Sequence, residues 1–126
     1  ELKSLLSQFI RVKLEMINSS TKKIFPDIDF VLVEENIKEG SFNEVCYPLI
    51  KGRKTPFLDG SGAEKILTGI TIVENIRKAL NVEPCPIIFD EGETLDENSL
   101  REIATECQVI TSIVDDVGDV PIVHQF

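Results

Sequence analysis

Residues 86–96 read PIIFDEGETLD, and the chemistry they offer lies in two adjacent acids, Asp90 and Glu91, at the end of an apolar run. Charge beside apolar residues is costly to bury, so the run must be holding these acids still for some purpose. An Asp fixed in this way can hold Mg²⁺ through water, and an adjacent Glu can orient or deprotonate an attacking water. In isolation the pattern fits better a strand that ends in a solvated turn. A second stretch, GSGAEK at residues 60–65, puts a hydroxyl, small residues and an acid where a helix begins. Free N–H groups and the helix dipole at such a point favour an anion.

Other reactive residues contribute less. Lys51, Arg53 and Lys54 cluster in one polar stretch, which reads as a solvated loop in preference to a phosphate or DNA contact. Cys46, Cys85 and Cys107 are odd in number and lack CxxC spacing, which favours free thiols in a reducing compartment over a disulfide framework or a zinc site. A cysteine nucleophile needs a base, and the single histidine, His124, is remote in sequence. Glu93 and Asp96 with Asp90 and Glu91 lack the spacing of an EF-hand loop.

The elements that would position these residues follow from periodicity. Leu2, Leu5, Phe9, Val12 and Met16 recur at alternating spacings of three and four, the seam pattern of a coiled coil, over about two heptads. The same spacing also fits an amphipathic helix on a core, with Asn18, Ser19 and Ser20 as a possible stop or break. IDFVLVEEN (28–36) and NEVCYPLI (43–50) read as an antiparallel pair of strands, the second pushed toward an edge by Pro48. Residues 51–62 are a loop. Ser61 with Glu64 three residues on forms a capping box, and Ile66, Leu67, Ile70, Val73, Ile76 (or Arg77) and Leu80 carry an apolar stripe to a helix end near Asn81 and Pro84. CPIIFDE then reads as a buried strand, residues 96–107 as a short helix capped by Asp96 or Asn98, QVITSIVDD (108–116) as a second buried strand and VPIVHQF (120–126) as a last one. Strand, helix and strand over 86–114 suit a parallel crossover. The expectation is an α/β domain with a mixed sheet, divided into a helix over 1–24 and a lobe over 25–126.

The chain has 126 residues, 42% of them hydrophobic, enough for one domain with a core. A net charge of −9 argues against a self-sufficient nucleic-acid binder, which needs clustered Lys and Arg. No apolar run approaches the roughly 20 residues of a membrane span. A chain opening on Glu1 reads as a processed product or an excised fragment.

An apolar strand ending in Asp-Glu is the Walker B arrangement of nucleotide hydrolases. With the Ser61-Gly62-Ala63-Glu64-Lys65 helix start before it and GETLDENSL directly after, the chain resembles the C-terminal half of an ATP-binding-cassette (ABC) ATPase head. The group it resembles comprises the structural-maintenance-of-chromosomes (SMC) proteins and the SbcC-type DNA-repair ATPases. The resemblance implies a half-domain of the P-loop NTPase fold with ATP and Mg²⁺ as cofactors. It makes Ser61, Gly62, Ala63, Glu64 and Lys65 the signature that meets the γ-phosphate of ATP on an opposing head. Asp90 becomes the Mg²⁺ acid and Glu91 the catalytic base, while Leu95 and Asp96 belong to the D-loop at the dimer interface. The helix over 1–24 becomes the end of a coiled-coil arm. The implied partners are a Walker A lobe of the same polypeptide, a second head, DNA and a nuclease subunit, in a cytoplasmic, nucleoid-associated setting. Three departures accompany it. No G-x-x-x-x-G-K-[ST] loop is present, so this chain alone should bind ATP poorly. Ala63 replaces a signature Gly. Val114 stands where the family often has a switch His, with His124 read as a strand-end residue. The alternative is an ABC-like interaction module that has lost hydrolysis, and a third reading is a small stand-alone regulator whose Asp90–Glu91 pair binds a metal.

Overall fold

The computed structural model describes residues 2–36, 41–101, 103 and 106–112. Val114, His124 and the strand expected over 120–126 lie outside the described residues. The elements run α1 (Leu2–Ile24), β1 (Phe30–Asn36), β2 (Ser41–Pro48), α2 (Gly62–Ala79), β3 (Ile87–Phe89), α3 (Glu97–Arg101) and β4 (Val109–Thr111), with one-turn 3₁₀ segments at Phe57–Asp59 and Gly92–Thr94.

Helix α1 runs unbroken through Asn18, Ser19 and Ser20. These residues favour caps when their side chains compete for the backbone, yet here the helix carries on, and the Thr21 hydroxyl bonds back to the Ile17 carbonyl at 2.9 Å. The helix has two apolar faces. Leu6, Ile10, Leu14 and Ile17 line a groove of about 320 Å³ with Leu32, Val33 and Val45 of the β1–β2 hairpin. The heptad residues Leu2, Leu5, Phe9, Val12 and Met16 are each more than half exposed, although Phe9 lines the same groove, and no residue of α1 is fully buried.

Strands β1 and β2 pair antiparallel, with an irregularity between Val31 and Val33. Strands β3 and β4 pair parallel, Ile87 opposite Val109, Ile88 opposite Ile110 and Phe89 opposite Thr111. The expected mixed sheet is therefore replaced, among the described residues, by two separate two-stranded sheets. The expected burial of β3 and β4 is also corrected. Each is three residues long with only its outer positions half-buried, and Ile88 and Ile110 are 75% and 42% exposed on the other face. Parallel strands normally have both faces covered; here one face is bare.

The buried residues Ile50, Thr68 and Ile70 lie around the first half of α2, where the Thr68 hydroxyl accepts the Lys51 N–H at 3.2 Å, and Ile28 is buried beside α1 and Leu49. The apolar stripe of α2 holds only in that half. Val73, Ile76 and Leu80 are exposed, and the buried position is Glu74, 4% exposed. Its carboxylate takes the Arg77 guanidinium at 3.1 Å and the Cys107 thiol at 2.9 Å, while Arg77 reaches Glu106 at 3.0 Å. This network fastens the approach to β4 onto α2, so it sets where the parallel pair sits. The helix ends in a Schellman arrangement. Asn81 takes a left-handed φ of 52°, and the Asn81 and Val82 N–H groups bond the Lys78 and Arg77 carbonyls.

Candidate functional site

Two groups of the expected site residues are built by different local physics. The first is the start of α2. Ser61 is its N-cap, and the capping box is complete: the Ser61 Oγ accepts the Glu64 N–H at 3.4 Å, and Glu64 Oε2 accepts the Ser61 N–H at 2.9 Å. The Ser61 hydroxyl also donates to Glu64 Oε2 at 3.0 Å. Arg53 closes on the other oxygen, Nη1 to Oε1 at 2.6 Å. The Ser61 N–H and hydroxyl hold the Glu64 carboxyl below its ordinary value against an opposing effect of burial, and the Arg53 charge adds least. Gly62 and Ala63 occupy the first turn, where backbone N–H groups lack helical acceptors, while the Lys65 N–H already bonds the Ser61 carbonyl at 3.0 Å.

The second group is the end of the parallel pair. Asp90 and Ser112 are the residues immediately after β3 and β4. The Ser112 hydroxyl donates a short hydrogen bond to Asp90 Oδ1, which also accepts the Glu91 N–H at 2.9 Å. Both donors favour the charged form, the Ser112 hydroxyl foremost, so the Asp90 carboxyl lies below its ordinary value. Glu91 is exposed and left-handed, with φ 61° and ψ 36°. That conformation is uncommon for a glutamate; it turns the chain sharply off β3 into the Gly92–Thr94 segment. Gly92 is buried and donates its N–H to the Ser112 carbonyl at 3.1 Å. A side chain there would overlap Thr111 and come within 2.5 Å of the Ser112 oxygen, so the glycine is required by close backbone approach.

Beyond it Leu95 is buried as an anchor, and Asp96 caps α3 by accepting the Ser99 N–H at 2.7 Å; the Ser99 side chain first, and its N–H second, lower the Asp96 carboxyl too. Of the two caps expected for α3, Asp96 fills the role.

The two groups approach one another at one point. A methyl placed on Gly62 would rest 3.7 Å from Thr94 Cγ2, so the start of α2 abuts the turn that follows Glu91. The Thr94 hydroxyl in turn donates to the Glu91 carbonyl at 2.9 Å, fixing that turn. The acids do not gather further. Among the described residues no group of three His, Cys, Asp or Glu side chains is placed to share a metal ion. A single ionised carboxylate, Asp90, held at a strand end, fits a role as one ligand of a cation whose other ligands come from water and phosphate.

Sequence reasoning passed over Ser112 and Thr94 and read Arg53 as part of a solvated loop. Ser112 was legible: setting PIIFD beside QVITS in parallel places Asp90 across from it. Arg53 and the approach of Thr94 to Gly62 carry no signal in spacing, because Glu64 and Gly62 come to them from a separate element. Comparison with protein-family profiles, with curated proteins and with solved structures found no match.

Proposed function

We propose that this chain is the C-terminal lobe of an ABC-type ATPase head of the SMC/SbcC-like group, half of a P-loop NTPase domain. The observation that carries the reading is the parallel β3–β4 pair, which fixes Asp90 and Glu91 at its C-terminal end while the capped start of α2 abuts the next turn at Thr94. Ligands in open α/β sheets bind beyond the carboxyl ends of strands.

In this reading Mg²⁺ and ATP supply the charge neutralisation and the phosphoryl group that is hydrolysed. Asp90, already ionised by its donors, serves as a ligand to Mg²⁺ through water. Glu91, exposed at the turn, takes a proton from the attacking water. The Ser61 hydroxyl and the first-turn amides of Gly62 and Ala63, with Lys65, meet a γ-phosphate presented by an opposing head, and Glu64 keeps that turn capped. Asp96 holds the D-loop in place by capping α3. The bare face with Ile88 and Ile110 suits the Walker A lobe of the same polypeptide, and the exposed seam of α1 suits the second strand of a coiled-coil arm. No helix among the described residues is long and apolar enough to cross a membrane. The proposal extends to a homodimer closed on ATP, to DNA handling with a nuclease partner, and to a nucleoid-associated, cytoplasmic setting.

The test uses the full-length product of the gene. Glu91→Gln should lower Mg²⁺-dependent ATP turnover by about 10²-fold or more, the usual worth of a general base, and should accumulate a closed, ATP-bound dimer by size-exclusion chromatography. A variant that turns over ATP like the wild type removes Glu91 from its role. A wild-type protein with no turnover leaves the interaction module.

A further inference from the structure

Among the described residues, one buried side-chain nitrogen or oxygen has no hydrogen-bond partner: Asn75 Nδ2. A buried donor left unmade is costly, and in a folded protein it calls for an acceptor. The helix around it does not supply one. Thr71, one turn earlier on the same face, spends its hydroxyl on the Leu67 carbonyl at 2.9 Å. Glu74, the preceding residue, is engaged with Arg77 at 3.1 Å, Lys78 at 3.9 Å and Cys107 at 2.9 Å.

Asn75 stands in the wall of a cavity of about 560 Å³, which α2 lines from Glu64 to Lys78 and to which the turn at residues 50–53 contributes. That volume is within the range of small-molecule sites and far above the roughly 30 Å³ share of one water. The lining defines the kind of molecule that fits. Its charges are three cations, Lys51, Arg53 and Lys78, and three acids, Asp27, Glu64 and Glu74, so they balance in number. Arg53 is already held by Glu64 at 2.6 Å. An occupant of either sign would meet a like charge, and an uncharged one avoids that cost. Ile50, Leu67, Ile70 and Ile103 supply apolar wall, which rewards an apolar body. The unmet amide hydrogen selects an acceptor. The terminal torsion of an asparagine is broad, so the amide can swing toward an occupant at little cost.

We propose that this cavity binds a small uncharged organic molecule with an apolar body and a carbonyl oxygen, and that the carbonyl accepts the Asn75 amide N–H. A hydrocarbon of the same shape leaves the amide unpaired and is bound less tightly. Asp90 and Glu91 do not line the cavity, so the inference is independent of the ATPase reading.

The experiment is an NMR titration of the isotopically labelled full-length gene product with acetophenone and with ethylbenzene, two probes of similar shape that differ in the carbonyl oxygen. Acetophenone should shift the Asn75 side-chain NH₂ and the methyls of Ile50, Leu67 and Ile70 saturably. It should bind about tenfold more tightly than ethylbenzene, the worth of one neutral hydrogen bond regained. Asn75→Leu keeps the shape and removes the donor. It should erase the difference between the probes while leaving ethylbenzene binding within about twofold of wild type. Equal binding of the two probes to the wild type overturns the proposal, and so does a preference for acetophenone that survives in Asn75→Leu. Failure of acetophenone to shift these signals overturns it as well; an Asn75 NH₂ in contact with water alone then makes this a hydrated cavity. Should Asn75→Leu not fold, the comparison of the two probes on the wild type still decides.

Discussion

The glycine at position 92 offers the sharpest test of how Asp90 and Glu91 are held. Gly92→Ala adds one methyl, which would overlap Thr111 Oγ1 and lie 2.5 Å from the Ser112 carbonyl oxygen. Real Cβ contacts stop near 3.0 Å, so either the turn after Glu91 or the end of β4 must move by at least half an ångström. Thr111 can rotate away; the Ser112 carbonyl is backbone and cannot. Forcing extra volume into such a contact costs about 1–3 kcal/mol. The same displacement stretches the Gly92 N–H bond to Ser112, now 3.1 Å, worth about 0.5–1.5 kcal/mol. Alanine returns about 0.4–1 kcal/mol by restricting the unfolded chain. The net expectation is a loss of about 2 kcal/mol. Urea unfolding followed by circular dichroism should show it as a midpoint lowered by about 1 M at unchanged slope, for slopes of about 1–3 kcal/mol/M. A loss below about 0.5 kcal/mol would refute the close approach of the turn to β4, and with it the claim that this glycine sets the geometry of the acids.

Two further outcomes follow from the same geometry. Gly69 lies inside α2, and a methyl added there meets nothing within 4 Å, so Gly69→Ala should stabilise the protein by about 0.5–1 kcal/mol in the same unfolding assay; destabilisation would mean that the space beside α2 is filled. Ser112→Ala removes the main donor to Asp90, so the Asp90 carboxyl should rise toward its ordinary 3.8 in a carboxyl NMR titration. Because the folded value lies below the unfolded one, Asp90 adds stability above that unfolded value and loses it as pH falls through the folded value. The stability gap between wild type and Ser112→Ala should therefore be open at neutral pH and close on the acid side of about pH 4. A titration unmoved by the substitution would break the Ser112–Asp90 link.

The sequence made some of this visible because the relevant forces are local. The capping box at Ser61 and Glu64 is written in two residues three apart, and the structure forms it. The parallel pairing of β3 with β4 follows from two apolar runs separated by a helix-length connection. Local signals fail where a distant partner decides. Leu2, Leu5, Phe9, Val12 and Met16 have the same spacing whether they cover a core or face outward; of them only Phe9 joins Leu6, Ile10, Leu14 and Ile17 in lining the groove against the hairpin. The strands around Ile88 and Ile110 read as buried because apolar runs imply cover, and composition does not say whether the covering element lies within the described residues. Glu74, an acid in the middle of an expected apolar stripe, is buried where Arg77, Lys78 and Cys107 meet it. The pairing of Arg53 with Glu64 depends on how a loop folds back, and spacing carries no trace of that.

The left-handed backbone at Glu91 has a consequence for how this position would drift under selection. A glutamate held at φ 61° sits about 1–2 kcal/mol above what Gly would incur there, with Asn between them. A library selected purely for thermal endurance would therefore discard the carboxylate at position 91 early, replacing it with residues that sit more comfortably in the bend. Backbone conformation alone therefore works against an acid at this position.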